Sequence, residues 1–110
     1  MVEHKSQADL VFHALSDPTR RMMVERLSQR PLTVSELAEP LAMSMAGVSK
    51  HVGVLEKAGI VARHKRGRER VCTLQPDSLL AARDWVERYA QFWSERLDAL
   101  DTALKEDGDE

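Results

Sequence analysis

Along the first fifteen residues, Ala8, Val11, Phe12 and Leu15 recur at i, i+3, i+4 and i+7, one apolar stripe of a helix placed at about residues 5–15. Ser16-Asp17-Pro18 ends it. Asp17 suits the N-cap of a second helix with Pro18 at its first position, where a missing N–H costs nothing. Met23, Val24 and Leu27 supply that helix's inner face, and Gln29-Arg30-Pro31 closes it. Thr33 and Glu36 then form a capping box for a short third helix with the stripe Val34, Leu37, Ala38 and Leu41. Pro40 should end or kink this helix early. A fourth helix follows in SMAGVSKHVGVLEKAG, capped by Ser44 and stopped by Gly59.

IVARHK and ERVCTL read as two short strands around Arg66-Gly67-Arg68, a hairpin with glycine in its turn. A long last helix is expected over residues 77–105, on the stripe Ala82, Val86, Tyr89, Trp93, Leu97, Leu100 and Leu104. The closing KEDGDE reads as a polar, frayed tail. No internal repeat or low-complexity linker interrupts the chain, so residues 1–110 are expected to form one domain. The order ααααββα makes the fold class mainly α with a small β-hairpin. A short capped helix, a tight turn, a second capped helix and an Arg-Gly-Arg hairpin together describe a winged helix-turn-helix.

The fourth helix has two unlike faces. Val48, Val52 and Leu55 lie within about 60° of one another and form its buried seam. Opposite them fall Ala46, Lys50, Gly53 and Lys57, with Ser49 on the shoulder: a small, polar, positive face. A DNA major groove, about 12 Å wide, admits a helix whose outer side chains do not block approach. Arginines on a projecting hairpin would supply backbone or minor-groove contacts beside it.

Charge changes the picture again. The formal net charge of −2 argues little for a nucleic-acid partner, but its distribution is two-ended. Ser44 to Val71 carries seven Lys or Arg against two acids, a local net of +5, whereas Pro76 to Glu110 carries ten acids against four bases, a net of −6. Screening over roughly 8–10 Å lets the basic segment attract phosphate whatever the distant sum.

LSDPTRRMMVERL, LTVSELAEPLAMSMAGVSKHVGVLEKAGIV and RGRERVCTL together resemble the ArsR family of bacterial winged-helix repressors, over roughly Phe12 to Leu74. The resemblance implies a homodimer that binds a pseudo-palindromic double-stranded DNA operator and represses transcription until a signal releases it. Carried over by position, it implicates Ser44, Met45, Ala46, Ser49, Lys50 and His51 of the fourth helix and Arg66, Gly67 and Arg68 of the wing. His51 flanks the buried seam, and periodicity leaves it open between a half-buried structural histidine and a phosphate contact; the resemblance favours the contact. Arg20 and Arg21 have two readings, phosphate contacts at the domain edge or, the favoured one, solvated ion-pair partners.

Many members of that family sense metals, yet the third helix here holds no cysteine and the last helix no histidine. His4, His13, His51 and His64 are scattered singly, and Cys72 reads as a small buried hydrophobe, so neither metal nor cofactor is expected. One cysteine excludes a disulfide within the chain and leaves a pair between subunits open. No inducer can be read from the residues.

The last helix carries Trp85, Tyr89, Phe92 and Trp93, four of the five aromatic residues. That bulk exceeds what one small core covers, so Phe12, Trp85, Tyr89, Phe92, Trp93, Leu97 and Leu100 are expected at a dimer interface built from the terminal helices. An adaptor that binds another protein through this helix is the competing reading, and a pocket for an apolar effector a lesser one. An enzyme is not expected, since no nucleophile-base set, paired carboxylates or nucleotide-binding glycine loop is visible. The longest apolar runs fall far short of a membrane span, and MVEHKSQADL lacks the apolar core of a signal peptide. A cytoplasmic protein is the expectation.

Overall fold

The computed structural model describes residues 6–108, in the order α1 (Gln7–Leu15), α2 (Pro18–Leu27), β1 (Leu32–Thr33), α3 (Val34–Ala38), α4 (Met45–Lys57), β2 (Val61–Arg66), β3 (Glu69–Leu74) and α5 (Asp77–Gly108). Lys5 at the expected start of the first helix, His4, and the last two residues of the acidic tail lie outside the described residues. The fold is a winged helix-turn-helix: mainly helical, with a small antiparallel sheet and a long C-terminal helix.

The helix ends follow from local chemistry. Ser6 caps α1 through a reciprocal box with Asp9, and Thr33 caps α3 through one with Glu36. Asp17 Oδ2 accepts from the Arg20 backbone N–H at 3.0 Å, with Pro18 opening α2. α3 stops at Ala38, two residues before Pro40. α4 ends in a Schellman motif: the Ile60 N–H donates to Leu55 O at 3.0 Å, and the Gly59 N–H donates to Glu56 O at 2.9 Å. Gly59 sits at φ +78°, and a Cβ there would lie 3.0 Å from Gln7 Nε2. The positive φ favours glycine at that position.

Two features differ from the sequence pattern. Leu32 and Thr33 pair with Cys72 and Val71, giving a three-stranded sheet of order β1-β3-β2. A strand of two residues after a proline carries no periodicity to read. α5 also runs to Gly108, beyond the expected end at Lys105, and Lys105 in its last turn pairs back to Asp101 at 3.1 Å.

Side chains from every element except α5's distal part fill one core. Met23, Leu37, Leu55, Ile60, Val11, Val48, Val52 and Cys72 are fully buried. Burying each of the large side chains stabilises the fold by roughly 1.5–3 kcal/mol. The seam Val48-Val52-Leu55 therefore fixes which face of α4 turns outward. α5 packs on α1 near its start, where Ala82 is buried, and from Arg83 to Glu106 every residue is exposed. The radius of gyration is 19.7 Å, against about 13 Å for a compact chain of this length. The excess is α5, a rod about 48 Å long that leaves the body.

Candidate nucleic-acid interface

α4 and the β2–β3 hairpin are held side by side, and a single groove runs between them. Its walls are Met45, Ala46 and Ser49 from α4, Arg63, Arg68 and Arg70 from the hairpin, and Thr33 to Ser35 at the start of α3. Arg63 is paired with Glu56, and Arg68 and Arg70 outnumber the one acid in the lining, Glu69, so the groove is positive as well as open.

Ser44 caps α4, its Oγ accepting from the Gly47 N–H at 3.0 Å, and it remains exposed. Met45 is 51% exposed, and Ala46 and Lys50 also face solvent. Arg66, Gly67 and Arg68 form the exposed hairpin tip, where Arg66 pairs with Glu69 across a two-residue turn. Gly67 takes φ +63° while Arg68 keeps a negative φ, the sign pattern of a II′ turn, which suits glycine first. The tip leaves the Arg66 and Arg68 side chains exposed.

Ser49 and Gly53 behave differently from the rest. Both are half-buried against the wing, and Ser49 also lines the groove. Ser49 Oγ accepts from Arg63 Nη1 at 2.9 Å, and the position a Gly53 Cβ would occupy lies 3.8 Å from Arg63 Nη2. Sequence reading missed Arg63. The signal was its alternation with Val61, which places it on the inward face of β2 opposite buried Cys72.

His51 is half-buried and sits at a corner built by the SDPTRR segment. Arg20 Nε donates to Ala14 O at 2.7 Å, Nη2 to His13 O at 3.3 Å, and Nη1 to His51 Nδ1 at 3.0 Å. Arg21 Nη1 donates to Leu15 O at 2.8 Å. The two arginines thus cap the C-terminal carbonyls of α1 where ion pairs were expected; Arg20 is half-buried, and Arg21 is exposed as expected. Their pattern needed the end of α1 to be located in space. A guanidinium only donates, so His51 Nδ1 accepts and the ring's proton sits on Nε2. Asp17, 4.0 Å from His51 Nδ1, is too distant to compete for it. The Asp17 carboxyl is held below its usual range, first by the Arg20 backbone N–H and then by the Arg20 charge, with partial desolvation opposing.

Phe12, Trp85, Tyr89, Phe92, Trp93, Leu97 and Leu100 are between 37% and 60% exposed. Phe12 and Trp85 meet edge to face at 5.3 Å, and Trp85 tilts over Tyr89 at 4.3 Å, so α1 and α5 present one continuous aromatic surface. Cys72 is fully buried, and burial pushes its thiol up, away from the reactive thiolate. A bridge between subunits through it would require opening the core. Among the described residues, no group of three or more His, Cys, Asp or Glu could hold a metal ion, and no helix is long and apolar enough to cross a membrane.

Comparison with known proteins fits this geometry. A helix-turn-helix domain model matches residues 15–64. The crystal structure of an ArsR family transcriptional regulator superposes with a TM-score of 0.77 at 38% identity, covering 86% of this chain and 97% of that one. The HTH-type transcriptional regulator Rv2034 of Mycobacterium tuberculosis is 39% identical over 102 residues, 93% of this chain and 92% of its own. The chain belongs to the ArsR family. It is a DNA-binding transcriptional regulator and not an enzyme. Another relative, the transcriptional repressor SdpR of Bacillus subtilis, is 30% identical over 76 residues, 69% of this chain and 84% of its own. Within this ArsR-family fold, α4 is the second helix of the helix-turn-helix and the β2–β3 hairpin is the wing.

Proposed function

We propose that the protein is a homodimeric repressor of a pseudo-palindromic operator. Each protomer lays α4 in a major groove, with Met45, Ala46, Ser49 and Lys50 toward the base edges. Ser44 at the start of α4 and His51, through its Nε2–H, donate to phosphate. Arg66 and Arg68 reach the flanking backbone or minor groove, and Gly67 keeps the tip narrow. The observation that carries this reading is the shared positive groove between α4 and the wing. Helix and hairpin tip lie on one side of the molecule, as a double helix of groove width about 12 Å requires.

The aromatic surface of α1 and α5 supports the dimer. Exposed apolar patches of this size on one chain mark an interface, and a second copy of α1 and α5 would cover it. The acidic surplus of α5 would then repel DNA from the wrong side. Repression is supported by the resemblance to SdpR. Titration of duplex fragments from upstream of the coding sequence, at low and moderate salt, tests the function. Binding that weakens steeply with salt is expected from several neutralised phosphates per dimer. Absence of binding at low salt would refute the reading.

A further inference from the structure

Arg63 is the one groove arginine turned into the protein. Its side chain is 15% exposed, and it closes on two α4 residues seven apart. Nε and Nη2 donate to Glu56 Oε1 at 3.1 and 2.6 Å, while Nη1 donates to Ser49 Oγ at 2.9 Å. Glu56 neutralises the guanidinium, so Arg63 offers little net charge to a phosphate. The fork spends its N–H groups on α4.

We infer that Arg63 is a specificity-determining positioning residue, which fixes Ser49 as a hydrogen-bond donor to a base edge without touching DNA itself. The inference rests on the groove reading proposed above. A serine hydroxyl has one hydrogen and two lone pairs, and a guanidinium can only donate. Arg63 therefore occupies a lone pair of Ser49. Such a charge-assisted bond polarises the hydroxyl, strengthening it as a donor and weakening it as an acceptor. Among the described residues, Ser49 Oγ donates to no protein acceptor, which leaves its hydrogen to the groove. In the major groove guanine offers N7 and O6 as acceptors, adenine N7 and thymine O4, whereas cytosine offers only its N4 amino donor. Held by Arg63, Ser49 discriminates against cytosine at the position it reads.

The test uses the full chain and duplexes selected by the wild type, with base preference and salt slope measured for four variants. These are Ser49→Ala, Arg63→Lys, the pair of those two, and Arg63→Met combined with Glu56→Gln. The last is charge-balanced and guards against an unpaired Glu56; thermal melting confirms that each is folded. Arg63→Lys should relax preference at the same base pair as Ser49→Ala, by roughly 3- to 10-fold, the range of one neutral hydrogen bond. It should leave the salt slope unchanged and add nothing to Ser49→Ala in the double variant. The balanced pair should behave alike. Additive effects, a Ser49→Ala variant with every base preference intact, or a salt slope reduced in the balanced pair would overturn the inference. A wild type that binds no duplex fails at the earlier step, and the groove reading falls first.

Discussion

Trp93→Ala tests the dimer with the least disturbance to the protomer. Trp93 is 59% exposed on a single chain and meets Phe92 edge to face at 5.8 Å, away from the core, so its removal leaves the core intact. An indole of roughly 250 Å² leaves about 150 Å² open to a partner, worth roughly 3–4 kcal/mol if it is all covered. Symmetry counts the loss twice, but interface area converts incompletely to affinity. Truncation of a buried interface aromatic costs on the order of 2–4 kcal/mol. A rise in the dimer dissociation constant of about 10² to 10³ is therefore expected. Sedimentation velocity over a wide concentration range measures it, with circular dichroism confirming helix content. An unchanged dissociation constant, or a wild type that is monomeric at tens of micromolar or so, would refute the assignment of α5 to the interface.

Other outcomes follow from single contacts. Arg66→Ala and Arg68→Ala should each weaken binding to all sequences, and should lower the salt slope by roughly 0.9 per phosphate released, as read by titration at several salt concentrations. Arg20→Met removes the bonds to Ala14 O, His13 O and His51 Nδ1 and should cost about 2–3 kcal/mol in urea unfolding, with DNA affinity falling alongside. Leu37→Ala empties a fully buried site and should cost about 2–5 kcal/mol in the same assay. The Asp17 and Glu36 carboxyls are held low, each first by a backbone N–H, from Arg20 and Thr33 respectively. Folded, they bind fewer protons than unfolded, so their stabilisation is present above the ordinary carboxylate range and is lost as pH falls through and below it. The melting temperature should drop below pH ~4, and Asp17→Asn with Glu36→Gln should flatten that part of the curve.

What was legible in the sequence was local. Asp17, Ser44, the Thr33–Glu36 box and Gly59 mark helix ends because capping needs only neighbours within four residues. Val48, Val52 and Leu55 mark the buried seam because a helix repeats every 3.6 residues. What escaped was set by distant partners. β1 exists only because Leu32 and Thr33 meet Cys72 and Val71. Arg20 looks solvated until the end of α1 is placed beside it, and Arg63 looks like a wing cation until β2 is laid against α4. Gly53, read from its angle on the helix as open to a groove, turns out to lie under that same arginine. The exposed apolar surface of α5 was legible as a surplus of aromatic bulk, since that helix carries more apolar area than one chain covers.

Protection of guanine N7 from methylation across the selected operator tests the central claim, because N7 lies in the major groove. Two protected clusters on one face of the duplex, about one helical turn or a multiple of it apart, are expected from two copies of α4 related by a two-fold axis. A bound complex with N7 unprotected, or with protection confined to one cluster, would contradict it.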